Sequence, residues 1–492
     1  MGLFSKKKPA AASSPAASTP AAPSSRTQRP TTSNGQQQQQ QQTPTIPEAP
    51  VPAGPSAEVD PVAYLKSLPS IRARASQVYA ARNNLAHFTF NEKAIPEVVD
   101  FVVSIIKRDY GSDHTSIPPH GRWQHFNVGG AKRVEKMMAA WSGVPQEEQT
   151  RRVLDLFLVS VLLDAGAGNA WSYKAENGRL YRRSEGLAVA SLEMFTSGAF
   201  SSNAHNKMQV DAEGLASITP ERMASGLQVT QSNPMSGLEG RTSLLSRLSH
   251  ALKQSPELFG TAARPGHLLD YLQSHPSSLR SEEGTSVPVT LLWSALMEGL
   301  ASIWPVGRTH LDGNSLGDAW PYSRLPTSPP HASIVPFHKL SQWLAYSLMQ
   351  PMTALSKIHF SGAGLLTGLP EYRNGGLFID LGVLTLRREA AERGLEQFKQ
   401  NAKLPGQQSV EVVPTFEPMD DVIVEWRAMT VCLLDVVHAQ VNKKLGLSGQ
   451  RSLSLPQVLE AGTWKAGREI AEVQRPNTRG SPLAILSDGT VF

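Results

Sequence analysis

The chain has 492 residues, of which 40% are hydrophobic and 18% charged, enough apolar material for a sizeable core, so wholesale disorder is excluded. A single cysteine, Cys432, excludes a disulfide framework and a cysteine-rich zinc site and points to a reducing compartment. The net charge is +5, but more than half of it lies in the first 58 residues, where Lys6, Lys7, Lys8, Arg26 and Arg29 face only Glu48 and Glu58. The nearly neutral remainder is a poor nucleic-acid footprint.

Residues 1–58 are dominated by Pro, Ala, Ser, Thr and Gln, with a glutamine run at 36–42. Such a segment cannot bury enough apolar surface to offset its ordering entropy, so a disordered tail is predicted ahead of one large domain over 59–492. Met1-Gly2-Leu3-Phe4-Ser5 approaches a myristoylation signal, but Lys6 stands where Ser or Thr is required. There is no apolar secretory segment and no early arginine of a mitochondrial presequence. The longest apolar stretch, 153–163, contains Asp155 and falls short of the ~18–20 residues that span a bilayer. A cytoplasmic protein is expected, with the nucleus left open.

From Asp60-Pro61, a cap followed by proline at the first helical position, the pattern is mostly helical. The apolar residues of 98–106 are too dense for a one-sided surface helix, and 149–164 reads the same way. Asn177-Gly178 centres a predicted hairpin over 173–182. Ser184 with Glu185 opens a helix over 188–195, Thr219-Pro220-Glu221 starts another, and leucines recur at helical spacing over 238–252. Apolar helices are predicted over 288–304 and 337–349. A short strand is predicted at 410–413. Asp420-Asp421 opens a long helix toward Lys443-Lys444, with acids and bases disposed as the helix dipole favours. With no strand–helix alternation and no internal repeat, the fold class is mainly α.

Nucleotide and hydrolase signatures are absent: no P-loop, no Gly-x-Ser-x-Gly, no His-Glu-x-x-His, and Gly362-Ala363-Gly364 lacks the third glycine of a dinucleotide fingerprint. Five stretches carry chemistry. His310-Leu311-Asp312 could ligate a metal if further ligands converged, with His331 and His338 downstream; otherwise it is a hydrogen-bonded loop. Asp164, followed by small residues and Trp171, either lines a ligand pocket or ends a helix beside a structural tryptophan. Glu371-Tyr372-Arg373 packs a carboxylate, a phenol and a guanidinium into a turn that could stabilise a cation and hold a phosphate, or be a local surface pair. Glu425 and Arg427, two apart on an apolar helix, cannot share a face and must each find a partner. Lys339, near a helix start, is electrostatically awkward unless an anion is present.

Across 60–492 the sequence resembles the fungal and bacterial family of the uracil catabolism protein numbered four. The resemblance is carried by Ser67-Leu68-Pro69-Ser70-Ile71-Arg72 with Arg74, by 116–121 with Arg122-Trp123 and His125-Phe126, by 163–173 with Asp164-Ala165-Gly166-Ala167-Gly168, by Arg183-Ser184-Glu185-Gly186-Leu187-Ala188, and by Leu311-Asp312-Gly313. It implies a role in breaking down the uracil ring through a ribosylated, ring-opened urea. The body is also similar in motif order to the queuosine-5′-phosphate N-glycosylase (queuosine salvage) family, which implies a helical, DNA-glycosylase-like body. The similar elements are Asp164 with Trp171, Phe337-x-Lys339-x-x-Gln342, Leu366-Thr367 before Glu371-Tyr372-Arg373, Glu425-x-Arg427, and Gly480-x-Pro482. The acid of the acid-Tyr-Arg turn is aspartate in that family and Glu371 here, Leu340 replaces a basic residue, and the asparagine between Asp and Trp is displaced to Asn169. Queuosine itself is therefore not the expected substrate.

These resemblances imply an N-ribosyl hydrolase acting on a ribosylurea-type small molecule, with or without a 5′-phosphate. Glu371 or Asp164 is expected as the catalytic carboxylate, with Asp312 in reserve. Lys339 and Arg373 would take the phosphate, Trp171 and Tyr372 would pack on the leaving group, Asn169 and Gln342 would help bind substrate, and Glu425 and Arg427 would orient the site. No cofactor or metal is expected, nor nucleic acid or membrane as partner; the tail is the expected route to any pathway partner. Two alternatives remain open: a metal-dependent amidohydrolase using His310, Asp312 and His338, and a non-catalytic scaffold.

Overall fold

The computed structural model describes residues 46–168, 170–401 and 411–486. Most of the predicted tail, Asn169, Val410 and the last six residues lie outside these. The end of the segment read as tail is folded: Ala49 is buried, and its amide donates to Ser286 Oγ at 2.8 Å.

The body is mainly α, with a few short strands and no barrel. Asp60 caps α1 (Pro61–Lys66) by accepting from the Ala63 amide, and α2 (Leu68–Ala80) follows after Ser67. Helix α3 (Ile95–Tyr110) buries Ile95, Val98, Val99, Val102, Val103, Ile105 and Ile106, as their density predicted. A short α4 (Arg122–Phe126) leads to α5 (Gln146–Leu162), whose residues 153–162 are all buried. The predicted hairpin forms, with Tyr173–Lys174 paired antiparallel to Leu180–Tyr181. Then come α6 (Arg183–Thr196), the helix Pro220–Gly226 capped by Thr219, α7 (Leu238–Gln254), α8 (Val289–Gly299), α9 (Lys339–Ser356), α10 (Tyr372–Asp380), α11 (Asp421–Leu445) and α12 (Trp464–Gln474).

One helix and one strand differ from expectation. The apolar run after Pro288 stops at Gly299 and continues only as a 3-10 turn, Ala301–Ile303. The strand expected at 410–413 is instead Thr415–Phe416, parallel to Ala484–Ile485.

One large apolar core joins most of these helices, and a smaller cluster joins Leu65 of α1 to Leu316, Ala319 and Ile334. Its two centres are α5, packed on α9 and α6, and α11, packed on α2, α3 and α10. A helix buried on nearly all sides must be apolar nearly all round, which is what 153–162 and 422–434 are. Cys432 belongs to this core, and burial pushes its thiol up to about 12. Among the described residues no helix is long and apolar enough to cross a membrane.

Candidate functional site

Asp164 follows directly on α5, where the unpaired carbonyls of the helix end make a carboxylate unwelcome. Three cations offset this. The guanidinium of Arg122, fully buried, reaches Asp164 Oδ2 with Nη1 at 2.9 Å. Arg241, also fully buried, donates from Nε to the Leu163 carbonyl (3.1 Å) and from Nη2 to the Ala165 carbonyl (2.5 Å). Burial brings the Arg241 guanidinium down to about 10, and Asp164 opposes that fall. Lys339 is the third cation; burial lowers its ammonium, while Glu371 and Asp164 hold it up. Ser184 Oγ donates to the same Asp164 Oδ2 at 2.5 Å. Both anchors thus take the same oxygen of the carboxylate, and among the described residues Oδ1 accepts no hydrogen bond.

Glu371 is near enough to Lys339 for its charge to hold that ammonium up. It is not a residue of a free surface turn: it is the N-cap of α10, accepting the amides of Arg373 (3.0 Å) and Asn374 (2.9 Å), one on each oxygen. Tyr372 follows it; burial, then the Glu371 charge, push its phenol up to about 12. Four rings, His120, His125, Trp343 and Trp464, cluster beside Ser184, with centroid separations from 4.6 Å (His120–Trp343) to 6.0 Å (His120–His125). Lys339 and Trp343 lie one turn apart on α9, as do Trp464 and Arg468 on α12. His120 Nδ1 pairs with Glu460 Oε2 at 2.6 Å. Glu460 lies in a π-helical turn, Leu459–Thr463, whose Thr463 also bonds Asn374 on α10; such turns recur at functional sites. His125 stays neutral: burial, then the charges of Arg122, His120, Arg468 and Lys339, hold its imidazole well below its ordinary range. Arg122 can only donate, and its Nη1 is 3.2 Å from His125 Nδ1, so Nδ1 is the lone-pair nitrogen.

Other predicted site residues support this group from behind. Arg427 grips Asp318 with two bonds of 2.7 Å in the core. Asp318 in turn accepts the Lys339 amide at 2.9 Å and so fixes the start of α9. Burial would raise the Asp318 carboxyl, but Arg427 and these donors hold it far below the usual range. Gln342 ties α9 to the loop before α10 through Thr367, accepting its amide (2.7 Å) and donating to its Oγ1 (2.6 Å).

Three of the expected residues lie apart from this group. Glu425 leaves α11 on another face, where it takes the amides of Ala86, His87 and Phe88 and the hydroxyl of Tyr322. Trp171 is a core residue whose Nε1 donates to the Leu227 carbonyl at 2.8 Å, so it presents no face to a ligand. Asp312 is exposed at the tip of the hairpin of His310–Leu311 and Asn314–Ser315. Its φ of 50° and the 76° of Gly313 explain the Asp-Gly pair as turn chemistry. His310 is likewise exposed, whereas His338 is buried and bonds the Leu65 carbonyl at 2.8 Å. Among the described residues no three His, Cys, Asp or Glu side chains gather to hold a metal. Two surface depressions, one lined by Arg308, Trp320 and Glu417 and one by Tyr64, Arg74 and His331, include none of the predicted site residues.

Sequence spacing missed Arg122, His125, Arg183, Ser184, Trp343, Trp464 and Arg468. They come from four helices, α4, α6, α9 and α12, that are far apart in the chain. Arg122, His125, Arg183 and Ser184 do fall within the runs that carry the family resemblance.

Fold and site together define a mainly helical protein in which a half-buried carboxylate is held by a buried arginine and a serine, beside a cluster of imidazole and indole rings. The chain belongs to the family described as a protein of unknown function, DUF1688, whose pattern matches residues 64–492. It is 47% identical over 447 residues to "Uracil catabolism protein 4" of Lachancea kluyveri, covering 88% of this chain and 99% of that one. It is 45% identical over 435 residues to "Protein urg3" of Schizosaccharomyces pombe (strain 972 / ATCC 24843), again covering 88% and 99%.

Proposed function

We propose that the protein acts in uracil catabolism as an N-ribosyl hydrolase, cleaving the C1′–N bond of a ribosylurea-type intermediate to urea and the sugar. The name of the Lachancea relative supports the pathway. The observation that supports the reaction is the asymmetry of Asp164: Oδ2 is pinned by Arg122 and Ser184, Oδ1 takes no hydrogen bond among the described residues, and the Asp164 charge helps to hold the Lys339 ammonium up.

Breaking a C1′–N bond builds positive charge on the sugar, as in glycoside hydrolysis. A fixed carboxylate oxygen stabilises that charge and accepts a proton from the attacking water. The water oxygen bonds to C1′ as the nitrogen leaves. Lys339, whose proton is loosened by burial, supplies the proton the nitrogen needs, and Asp164 returns one to it. Glu371, with both oxygens on backbone amides, acts through its charge on Lys339 rather than as a base. Trp343 and Trp464 take the place of Trp171 as the indoles flanking the site.

The test is release of urea from synthetic ribosylurea and its 5′-phosphate by the purified protein and by Asp164→Asn. Loss of the acid–base group should cost about 10²–10⁴-fold in kcat. Folded wild-type protein that releases no urea from either substrate would sink the reading.

A further inference from the structure

Two site helices carry arginines that the fold leaves without an acid. Arg183 opens α6 with a φ of 53°; its Nη1 donates to the Arg479 carbonyl at 2.8 Å and its Nη2 to the Thr478 carbonyl. Arg373, in α10, donates from Nη1 to the same Arg479 carbonyl at 2.9 Å. Among the described residues neither forms an ion pair. Arg468 and Arg479 crowd the same place and are the ones that hold acids: Arg468 meets Glu185 at 2.5 Å and Glu472 at 3.7 Å, and Arg479 meets Glu472 at 3.4 Å. The four guanidiniums therefore have two ion-pairing carboxylates among the described residues, with the Glu371 charge also acting on Arg373. Burial, then the charges of Arg373, Arg468 and Arg479, bring the Arg183 guanidinium down to about 10. Arg183, Arg373 and Arg468 are half-buried and Arg479 is exposed; gathering half-buried like charges is costly unless an anion joins them.

The position is equally telling. Arg183 immediately precedes Ser184, which holds Asp164, and Arg373 lies two residues after Glu371. The start of the fourteen-residue α6 adds its dipole. Guanidinium forks match phosphate oxygens in pairs.

We propose that Arg183 and Arg373, backed by Arg468 and Arg479, form a subsite for a phosphoryl group, so that the N-riboside taken by this site is a sugar phosphate. The identity of the sugar rests on the hydrolase reading; the anion site does not. Lys339 is then left to the leaving group.

Binding of ribose 5-phosphate and of ribose to the full-length protein is measured by calorimetry, alongside hydrolysis of ribosylurea with and without a 5′-phosphate. Ribose 5-phosphate should bind at least about tenfold tighter than ribose. Arg183→Gln and Arg373→Gln should each weaken it by about 10–100-fold, the worth of a charge-assisted contact. The kcat/KM preference for the phosphorylated substrate should shrink in both. Arg373→Lys, which keeps the charge and loses the fork, should fall between, and thermal melts identify any variant that has merely unfolded. Equal binding of ribose and ribose 5-phosphate, or undiminished phosphate binding in folded glutamine variants, overturns the subsite. Phosphate binding that the variants lose, with no hydrolysis of either substrate, keeps the subsite and removes the hydrolase.

Discussion

Gly467 of α12 lies so close to Arg373 that a β-carbon on it would stand 2.0 Å from the Arg373 carbonyl oxygen. This contact sets how near Trp464 and Arg468 come to Glu371 and Arg373, since it lies between them on one helix. The obstructing atom is backbone and cannot swing aside. Gly467→Ala should therefore push α12 from α10, at a cost of at least about 1–3 kcal/mol, the usual penalty of overpacking. A lowered melting temperature together with lost urea release would register it; an unchanged melting temperature would contradict the contact.

The Asp318–Arg427 pair should behave as a unit. Removing either partner leaves a buried charge alone, so Asp318→Asn or Arg427→Met should each cost about 3–5 kcal/mol in urea denaturation. The double variant should cost much less than the sum. Because Asp318 is held far below its unfolded range, its contribution is present above pH ~4 and is lost as the pH falls below that. Additive single and double effects would mean the pair is not coupled.

His125 carries a second acid sensitivity, in a higher window. Its native imidazole is held well below the ordinary ~6.5, so the unfolded chain takes up that proton first as the pH falls. The stability tied to a neutral His125 is complete above pH ~6.5. It then declines with acidification by up to about 1.4 kcal/mol per pH unit until the native pKa is reached. The groups that hold it there are Arg122, His120, Arg468 and Lys339. His125→Gln should flatten the stability curve between pH ~6.5 and ~5 by one proton, measured by denaturant titration at each pH. An unchanged slope would show that His125 titrates normally.

Ser184→Ala tests the pinning of Asp164. The carboxylate keeps Arg122 but loses its 2.5 Å hydroxyl. A charge-assisted bond of this kind is worth about 1.5–3 kcal/mol, so kcat for urea release should fall roughly 10–100-fold, with KM changing less. A rise in KM alone would move Ser184 from positioning the carboxylate to binding substrate.

The helical class, the buried character of α3, α5 and α11, and the caps at Asp60, Thr219 and Asp420 were all legible in the sequence. Each follows from a local period or a local hydrogen bond that neighbours along the chain decide. Asp164, Lys339 and Glu371 were legible as chemistry out of place: an acid at a helix end, a lysine at a helix start, an acid before a phenol and a guanidinium. What each of them faces was not. Glu425 and Arg427 are two residues apart, yet one caps a loop at Ala86–Phe88 and the other grips Asp318, because their helix is buried on every side and turns them toward different neighbours. Trp171 and Trp343 are both nearly fully buried, and only the packing of α5 on α6 and α9 puts the first in the core and the second in the ring cluster beside Ser184. Local propensity fixes where helices begin and end. The meeting of Arg122 and Ser184 on the Asp164 carboxylate, with Lys339 within reach of its charge and that of Glu371, depends on contacts between residues far apart in the chain, and those exist only once the core has formed.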